Sequence, residues 1–305
     1  MKTVHLVLSH AAAKLLYYDQ ETQAMRPELV FVASDGSTHF EINEVGLKGD
    51  PIDATRKLVV VWGDSVVFSA GRGWPCLLDD LAPGYQFLNG GIEGDPYSNV
   101  LRRAREFNQR TAVHLNLLML GWHPLPDNQN VRSALIAFIQ NTPNTVILTM
   151  PTALNRPIAD QDLSSYITRR DAHNAFTFCG DLAYSRELQR VGFNYIIERN
   201  EIIREVAVQM NIRLVDLFAE FDTEKLDDFR QHFTDMIHLR ASAHPKIARA
   251  VYEGIKDLLQ PGLRLSIAPD GSMTDRGKAP FGIAAEPESH LQQRVRLSPA
   301  SAFEG

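Results

Sequence analysis

The chain has 305 residues, of which 44% are hydrophobic and 22% charged, and this composition is typical of a globular protein that can bury a substantial core. Its formal net charge of −6, with no run of Lys and Arg longer than a pair, argues against binding to nucleic acid or to an anionic membrane surface. No segment approaches the roughly 20 apolar residues that cross a bilayer, and polar residues interrupt the N-terminal apolar stretch before it forms a signal-peptide core.

The first predicted unit is an N-terminal extension, residues 1–56. Apolar residues near helical spacing predict a helix and a turn over residues 1–24. Residues 29–33 and 38–42 flank Asp35-Gly36, and an Asp-Gly pair between alternating apolar segments favours a β-hairpin. We therefore expect a helix followed by a hairpin ahead of the main domain.

Residues 57–260 are predicted to form the main domain, because short β-rich segments alternate there with longer helical ones. The strands are almost continuous in hydrophobicity, as expected for strands buried on both faces of a parallel sheet. The pattern predicts an α/β fold, a three-layer α/β/α sandwich around a mainly parallel five-stranded sheet. The predicted strands are residues 58–62, 85–88, 113–120, 145–150 and 212–215, and the predicted helices are residues 74–81, 98–108, 131–139, 182–210 and 243–259.

Two segments fall outside this alternation. Residues 153–180 form a polar connection longer than the ~2–6 residues usual in such folds, which fits either a lid at the sheet edge or an ordinary solvated helix with its loops. Residues 261–305 are rich in Ser, Pro and Gly, and we expect an extended or poorly ordered tail. The tail or the N-terminal extension could join two copies of the chain in a homo-oligomer.

The two cysteines, Cys76 and Cys179, indicate the redox environment. They could pair, but Cys76 falls within a predicted amphipathic helix, where a buried thiol is the more common arrangement. So few cysteines favour a reducing compartment, and without a signal peptide in this sequence we expect a cytoplasmic protein.

The candidate site combines a serine at a strand end with a late Asp and His. Ser65 follows the predicted strand 58–62 in the sequence Gly63-Asp64-Ser65, and Asp235 and His238 precede the last predicted helix. A serine hydroxyl is a poor nucleophile near neutral pH unless an imidazole takes its proton and a carboxylate fixes the tautomer of that imidazole. The spacing of three places Asp235 and His238 on the same side of one turn. The pattern therefore predicts acyl chemistry at Ser65.

These residues also carry a family resemblance. The motifs are Gly63-Asp64-Ser65, then a glycine block (residues 89–95) that contains Gly94, and finally the pair Asp235 and His238. In the order of these motifs, the chain resembles the SGNH/GDSL hydrolase superfamily. The resemblance implies a triad in which Ser65 is the nucleophile, His238 carries the proton and Asp235 orients the imidazole. It also implies an oxyanion hole formed by the amides of Ser65 and Gly94 and by a side chain of the third block.

The third block departs from the family pattern. The family has Gly-x-Asn-Asp after the central strand, whereas this chain reads Gly121-Trp122-His123-Pro124. His123 stands where the asparagine is expected, and a neutral imidazole can still donate one hydrogen bond to an oxyanion. Asn128 or Asn130, further along the same loop, could take that place instead.

Other polar residues fit more ordinary roles. His232 with Asp235 and His238 could supply zinc ligands, but the triad already uses two of the three, and we expect no metal or organic cofactor. His244, at a predicted helix start, is expected to cap the helix or face solvent. Lys48 stands where arginine is usual in some bacterial members of the superfamily.

The residues and the resemblance together predict a serine hydrolase that cleaves carboxylic esters, with a short acyl or O-acetyl group on a small molecule or a glycan as substrate. In one alternative, the same acyl-enzyme passes its acyl group to an acceptor hydroxyl. In the other, the chain binds carbohydrate or acyl groups without turnover, because His123 leaves the oxyanion hole incomplete.

Overall fold

The computed structural model of the protein describes residues 2–6, 14, 16–33, 39–69, 71–121, 128–142, 144–152, 186–221, 231–233 and 237–259. All of them lie in one compact unit, Met1–Pro261. The polar connection 153–180 and the predicted tail 261–305 lie outside the described residues.

The N-terminal extension is built from short strands, which are β1 (Lys2–Leu6), β2 (Tyr18–Asp19), β3 (Ala24–Met25), β4 (Leu29–Ala33) and β5 (His39–Ile42). Strand β4 pairs antiparallel with β5, as predicted, and in parallel with β1. The helix and turn predicted over residues 1–24 are therefore wrong for β1, whereas residues 14, 16 and 17 are helical and residues 20–23 form a turn. Val4 and Leu6 also satisfy the period of two of a strand, and the edge of β4 supplies backbone partners for them.

The central sheet has five strands, all parallel, which are β6 (Lys57–Gly63), β7 (Tyr85–Gly91), β8 (Leu115–Met119), β9 (Thr145–Leu148) and β10 (Leu214–Val215). Their order across the sheet is β10-β9-β8-β6-β7. They match the five predicted strands, and the predicted fold class is confirmed. Because β7 and β8 lie on opposite sides of β6, the carboxyl end of β6 borders a switch point, where such sheets bind ligands.

Helices cover both faces of the sheet, and they are α1 (Ser65–Phe68), α2 (Leu78–Leu81), α3 (Tyr97–Arg110), α4 (Asn128–Asn141), α5 (Arg186–Met210), α6 (Leu217–Glu220) and α7 (His244–Leu259). Side chains alternate along β6 and separate two cores. Val59 and Val61 pack with α2 and α7 on one face. Val60 and Trp62 pack with α3, α4 and α5 on the other.

The extension packs directly behind α1. Tyr17, Phe31, Phe40 and Phe68 form an aromatic cluster, in which the Tyr17 ring stacks on Phe68 at a centroid distance of 5.3 Å and Phe40 meets Phe68 edge-on at 5.5 Å. Phe68 is the last residue of α1, so the extension contributes to the core beneath this helix. Lys48 joins the two parts through the backbone as well, because it bridges β5 and β7.

Candidate active site

Ser65 lies at the carboxyl end of the sheet, where it is the first residue of α1 after β6. Asp64 caps this helix, because its Oδ1 accepts a hydrogen bond from the Val66 amide at 3.0 Å. The cap turns the chain from strand to helix, and Ser65 is left 7% exposed at the turn. The residue therefore lies at the carboxyl edge of the sheet.

His238 is brought to Ser65 from a distant part of the chain. Its Nε2 lies 2.8 Å from Ser65 Oγ, which is hydrogen-bond distance. Its neighbours Ile237 and Leu239 are buried, and Leu239 forms a β-bridge with Phe233. Packing therefore fixes the backbone on both sides of the histidine while the imidazole meets the hydroxyl.

The other side chains of the predicted site lie outside the described residues. Asp235 falls in the segment 234–236, and His123 falls in the segment 122–127. Their roles as triad carboxylate and third oxyanion donor stay predictions.

The glycine block spans the end of β7 and the turn after it, and Gly91 in this block packs against α1. The Ile92 amide donates to the Gly63 carbonyl at 3.2 Å, which joins the end of β7 to the end of β6. Gly91 packs so closely that a Cβ there would overlap the Phe68 amide nitrogen. Gly94 has a φ of +64°, a left-handed conformation that glycine adopts without strain. The predicted oxyanion glycine thus lies in a turn, three residues after the glycine that packs against the helix that carries the serine.

A buried ion pair fixes the residue after Gly94. Arg103 of α3 donates from Nε to Asp95 Oδ2 at 3.0 Å and from Nη1 to the Gly90 carbonyl at 2.8 Å. The side chains of Arg103 and Asp95 are 6% and 1% exposed, and Asn99 also donates to Asp95. The pair ties the glycine block to α3, and the sequence did not predict it.

Strand β6, which lies between β8 and β7 in the five-stranded parallel sheet, leads into a serine, and a histidine ahead of the last helix bonds that serine. The fold is similar to that of the SGNH/GDSL hydrolases. No family model matches the chain, and no curated protein matches it. Solved structures with similar folds include a lipase/acylhydrolase from Enterococcus faecalis (15% identity, 68% of this chain and 99% of that chain, TM-score 0.48), an acetyl xylan esterase, AlAXEase (17%, 65% and 99%, 0.48), and TesA (20%, 67% and 99%, 0.46).

Asp64 packs against Gly121, just beyond the end of β8. A Cβ on Gly121 would overlap Asp64 Oδ2, so glycine is required there. Asp64 Oδ2 has no hydrogen-bond partner among the described residues, and burial raises the pKa of this carboxyl to about 6. The charge of His238 acts in the opposite direction on that pKa, which puts the carboxylate within electrostatic range of the imidazole.

The long helix α5 holds the carboxyl ends of β8 and β9. Arg199 is fully buried and donates to the Gly121 carbonyl at 2.6 Å and to Asn128 Oδ1 at 2.5 Å. Asn200 binds the amide and the carbonyl of Met150 at 2.9 and 3.0 Å. Neither residue was predicted from the sequence. The only signal available there is a pair of polar residues, Arg199 and Asn200, within a predicted helix that is largely apolar around them.

The two asparagines considered in place of His123 have other positions. Asn128 Nδ2 donates to Glu198 Oε2 at 2.9 Å and to the Tyr195 carbonyl at 3.3 Å, so α5 already engages this amide. Asn130 is exposed on α4. The Asn128 amide is therefore engaged by α5, and a role for Asn130 in the oxyanion hole stays a prediction.

Buried donors also fix the carbonyl end of α1. Lys48 is 1% exposed and donates to the carbonyls of Phe68 and Ser69 at 2.6 and 2.8 Å. Asn89 donates to the Val67 carbonyl at 2.9 Å. Burial lowers the pKa of Lys48 to about 7. The serine thus sits on one helical turn whose far end is held from both the extension and the sheet.

His244 was predicted either to cap the helix or to face solvent, and its 7% exposure shows that the second alternative is wrong. Burial, followed by the charge of Lys48, lowers the pKa of His244 to about 4. The Cys76 thiol is unpaired and lies 3.2 Å from the Arg72 carbonyl, and burial raises its pKa to about 11. Its conceivable partner Cys179 lies outside the described residues.

The part of the chain that the structure describes has no group of three or more His, Cys, Asp or Glu arranged to hold a metal ion. None of its helices is both long and apolar enough to cross a membrane. A cavity of about 840 Å³ lies between the β2–β3 hairpin and α3, and its lining includes Met25, Arg102 and Phe107 but neither Ser65 nor His238. This cavity is separate from the candidate active site.

Proposed function

We propose that the protein is a serine hydrolase that cleaves carboxylic esters through an acyl-enzyme on Ser65. The 2.8 Å contact between Ser65 Oγ and His238 Nε2 carries the proposal, because an imidazole at this distance can accept the hydroxyl proton during attack. The turn after β6 supports it, since it leaves the hydroxyl at the sheet edge where such folds bind ligands.

Each remaining group has a role in the proposed reaction. Attack of Ser65 Oγ on the ester carbonyl transfers the hydroxyl proton to His238 Nε2 and leaves negative charge on the carbonyl oxygen. The amides of Ser65 and Gly94, with the His123 side chain, donate to that oxyanion. Asp235 stabilises the imidazolium, which then protonates the departing alcohol. Water, activated by the same imidazole, releases the acid and restores the serine.

Active-site labelling tests the nucleophile. A fluorophosphonate probe, followed by intact mass and peptide mapping, should give one adduct on Ser65 in the wild type and none in Ser65→Ala. His238→Ala should label far more slowly, and turnover of p-nitrophenyl acetate should fall on the order of 10⁴- to 10⁶-fold in either variant. Ser242→Ala removes an exposed hydroxyl close in sequence to His238 and should change neither property. A folded wild type without an adduct would contradict the proposal.

The proposed substrate is a short acyl or O-acetyl ester of a small molecule or a glycan. An acetyl xylan esterase is among the structures with a similar fold, which makes acetylated xylo-oligosaccharides a reasonable test substrate. We expect kcat/KM to fall from p-nitrophenyl acetate to the octanoate ester. Free acetate, rather than an acetylated sugar, should accumulate when methyl xyloside is added. The opposite product would indicate acyl transfer.

A further inference from the structure

The N-terminal extension reaches the glycine block through Lys14. Lys14 Nζ donates a hydrogen bond to the main-chain carbonyl of Glu93. That carbonyl belongs to the same peptide unit as the Gly94 N–H, which the proposed function assigns to the oxyanion hole. We propose, on the basis of that function, that Lys14 is a positioning residue. It orients and polarises the Glu93–Gly94 peptide as an oxyanion donor.

Two further contacts hold the ammonium group and Glu93 in place. The charge lies beside the glycine, because a Cβ built on Gly94 would lie 3.6 Å from Lys14 Nζ. The same ammonium lies 5.0 Å from the centroid of the Tyr18 ring. Tyr17 donates from its hydroxyl to Glu93 Oε2 at 3.1 Å, which fixes the side chain of the residue whose carbonyl Lys14 binds.

A peptide group transmits polarisation from its oxygen to its nitrogen. Because the C–N bond has partial double-bond character, donation to the carbonyl shifts electron density toward oxygen and makes the N–H more positive. Hydrogen bonds in a chain strengthen one another in this way, and a charged donor has the larger effect. The benefit is greatest when negative charge develops opposite the N–H, which happens in the transition state and not in bound substrate.

Lys14 can be separated from the packing of the extension. Tyr17 is fully buried and stacks on Phe68, whereas Lys14 is only partly buried and its ammonium meets Tyr18, which is itself only partly buried. Replacing the Lys14 ammonium should therefore leave the fold intact.

Steady-state kinetics on Lys14→Met, Lys14→Arg and Lys256→Met test the inference with p-nitrophenyl acetate. Loss of a direct oxyanion donor lowers kcat by about 100- to 1,000-fold, so loss of a group that acts through the peptide should lower it by about 3- to 10-fold. KM and Tm should stay unchanged, and Lys14→Arg should restore most of the rate. Lys256→Met removes the same charge from an exposed position on α7 and should match the wild type.

The amide proton of Gly94 gives a readout that does not depend on turnover. In NMR spectra it should move upfield in Lys14→Met and return toward its original position in Lys14→Arg. Labelled Ser65 in the wild type, with an unchanged kcat in Lys14→Met, would overturn the role of Lys14 and leave the proposed function standing. A fall in kcat that is matched by a fall in Tm would also overturn it. Absence of a Ser65 adduct in the wild type would overturn both.

Discussion

At the scale of single residues, His244 and Asp64 are buried groups whose pKa values move in opposite directions. Burial lowers the pKa of His244 from 6.5 to about 4, and burial raises that of Asp64 from 3.8 to about 6. Between pH 4 and 6.5 the unfolded chain binds more protons at His244 than the folded chain does, so this term lowers the free energy of unfolding as the pH falls. Between pH 3.8 and 6 the folded chain binds more protons at Asp64 than the unfolded chain does, so this term raises the free energy of unfolding as the pH falls.

The two terms can be separated by His244→Gln and Asp64→Asn. Each term is worth up to about 1.4 kcal/mol per pH unit. On acidification from about pH 6.5 to about pH 4.5, His244→Gln should gain stability relative to the wild type, and Asp64→Asn should lose it. Asparagine keeps the helix cap, so the difference reports the charge. Urea unfolding at several pH values measures it, and offsets that do not vary with pH would contradict the prediction.

At the scale of elements, the Arg103–Asp95 pair joins the glycine block to α3. Both side chains are buried, and Arg103 also holds the Gly90 carbonyl at the end of β7. Removal of one member of a buried pair leaves an uncompensated charge, which costs about 3–5 kcal/mol. We therefore expect Arg103→Met to lower the free energy of unfolding by this amount, and to slow labelling of Ser65 because Gly94 is next to Asp95.

A double-mutant cycle measures the coupling in this pair. Asp95→Asn combined with Arg103→Met should be less destabilised than the sum of the two single variants, because the second change removes the charge that the first left unpaired. Arg213→Met is the control, since its pair with Asp257 is 43% and 47% exposed and should be worth less than about 1 kcal/mol. Equal losses in Arg103→Met and Arg213→Met would contradict the assignment.

Elements of the sheet could be predicted because the relevant information is local. The continuous hydrophobicity of residues 58–62 and 145–150 predicts strands that are buried on both faces, whatever their position in the sheet. The strand β1 could not be predicted, because its few apolar residues fit the spacing of a helix as well as that of a strand. The pairing with β4 decides in favour of the strand.

Within the site, the sequence predicted that Ser65 and His238 come together, but it did not predict which side chains fix the backbone around them. Ser65 and His238 could be predicted from residue type, order and family resemblance, whereas their 2.8 Å contact depends on the whole fold. Lys48, Arg103 and Arg199 all donate to backbone carbonyls of the site. Because every residue has a backbone carbonyl, the acceptor of such a hydrogen bond can be any residue type. The sequence therefore carries no signal that would predict these contacts.

At the scale of the whole molecule, the extension and the sheet share a buried core at α1. Phe31 and Phe40 come from the extension, Phe68 ends α1, and Ile92 belongs to the glycine block, yet all four lie in one hydrophobic cluster. Loss of packing in the extension should therefore reach the helix that carries Ser65.

Two phenylalanine truncations test that connection. Phe40 and Phe138 are both buried, and removal of either ring should lower the free energy of unfolding by about 3–5 kcal/mol. Phe138 packs in the core between the sheet and α3, α4 and α5, which contains no residue of α1. Phe40→Ala should therefore also slow fluorophosphonate labelling of Ser65, whereas Phe138→Ala should not. The labelling rates should be measured at a temperature where circular dichroism shows that both variants are folded, so that they report the geometry of α1. Equal rates in the two variants would contradict the coupling.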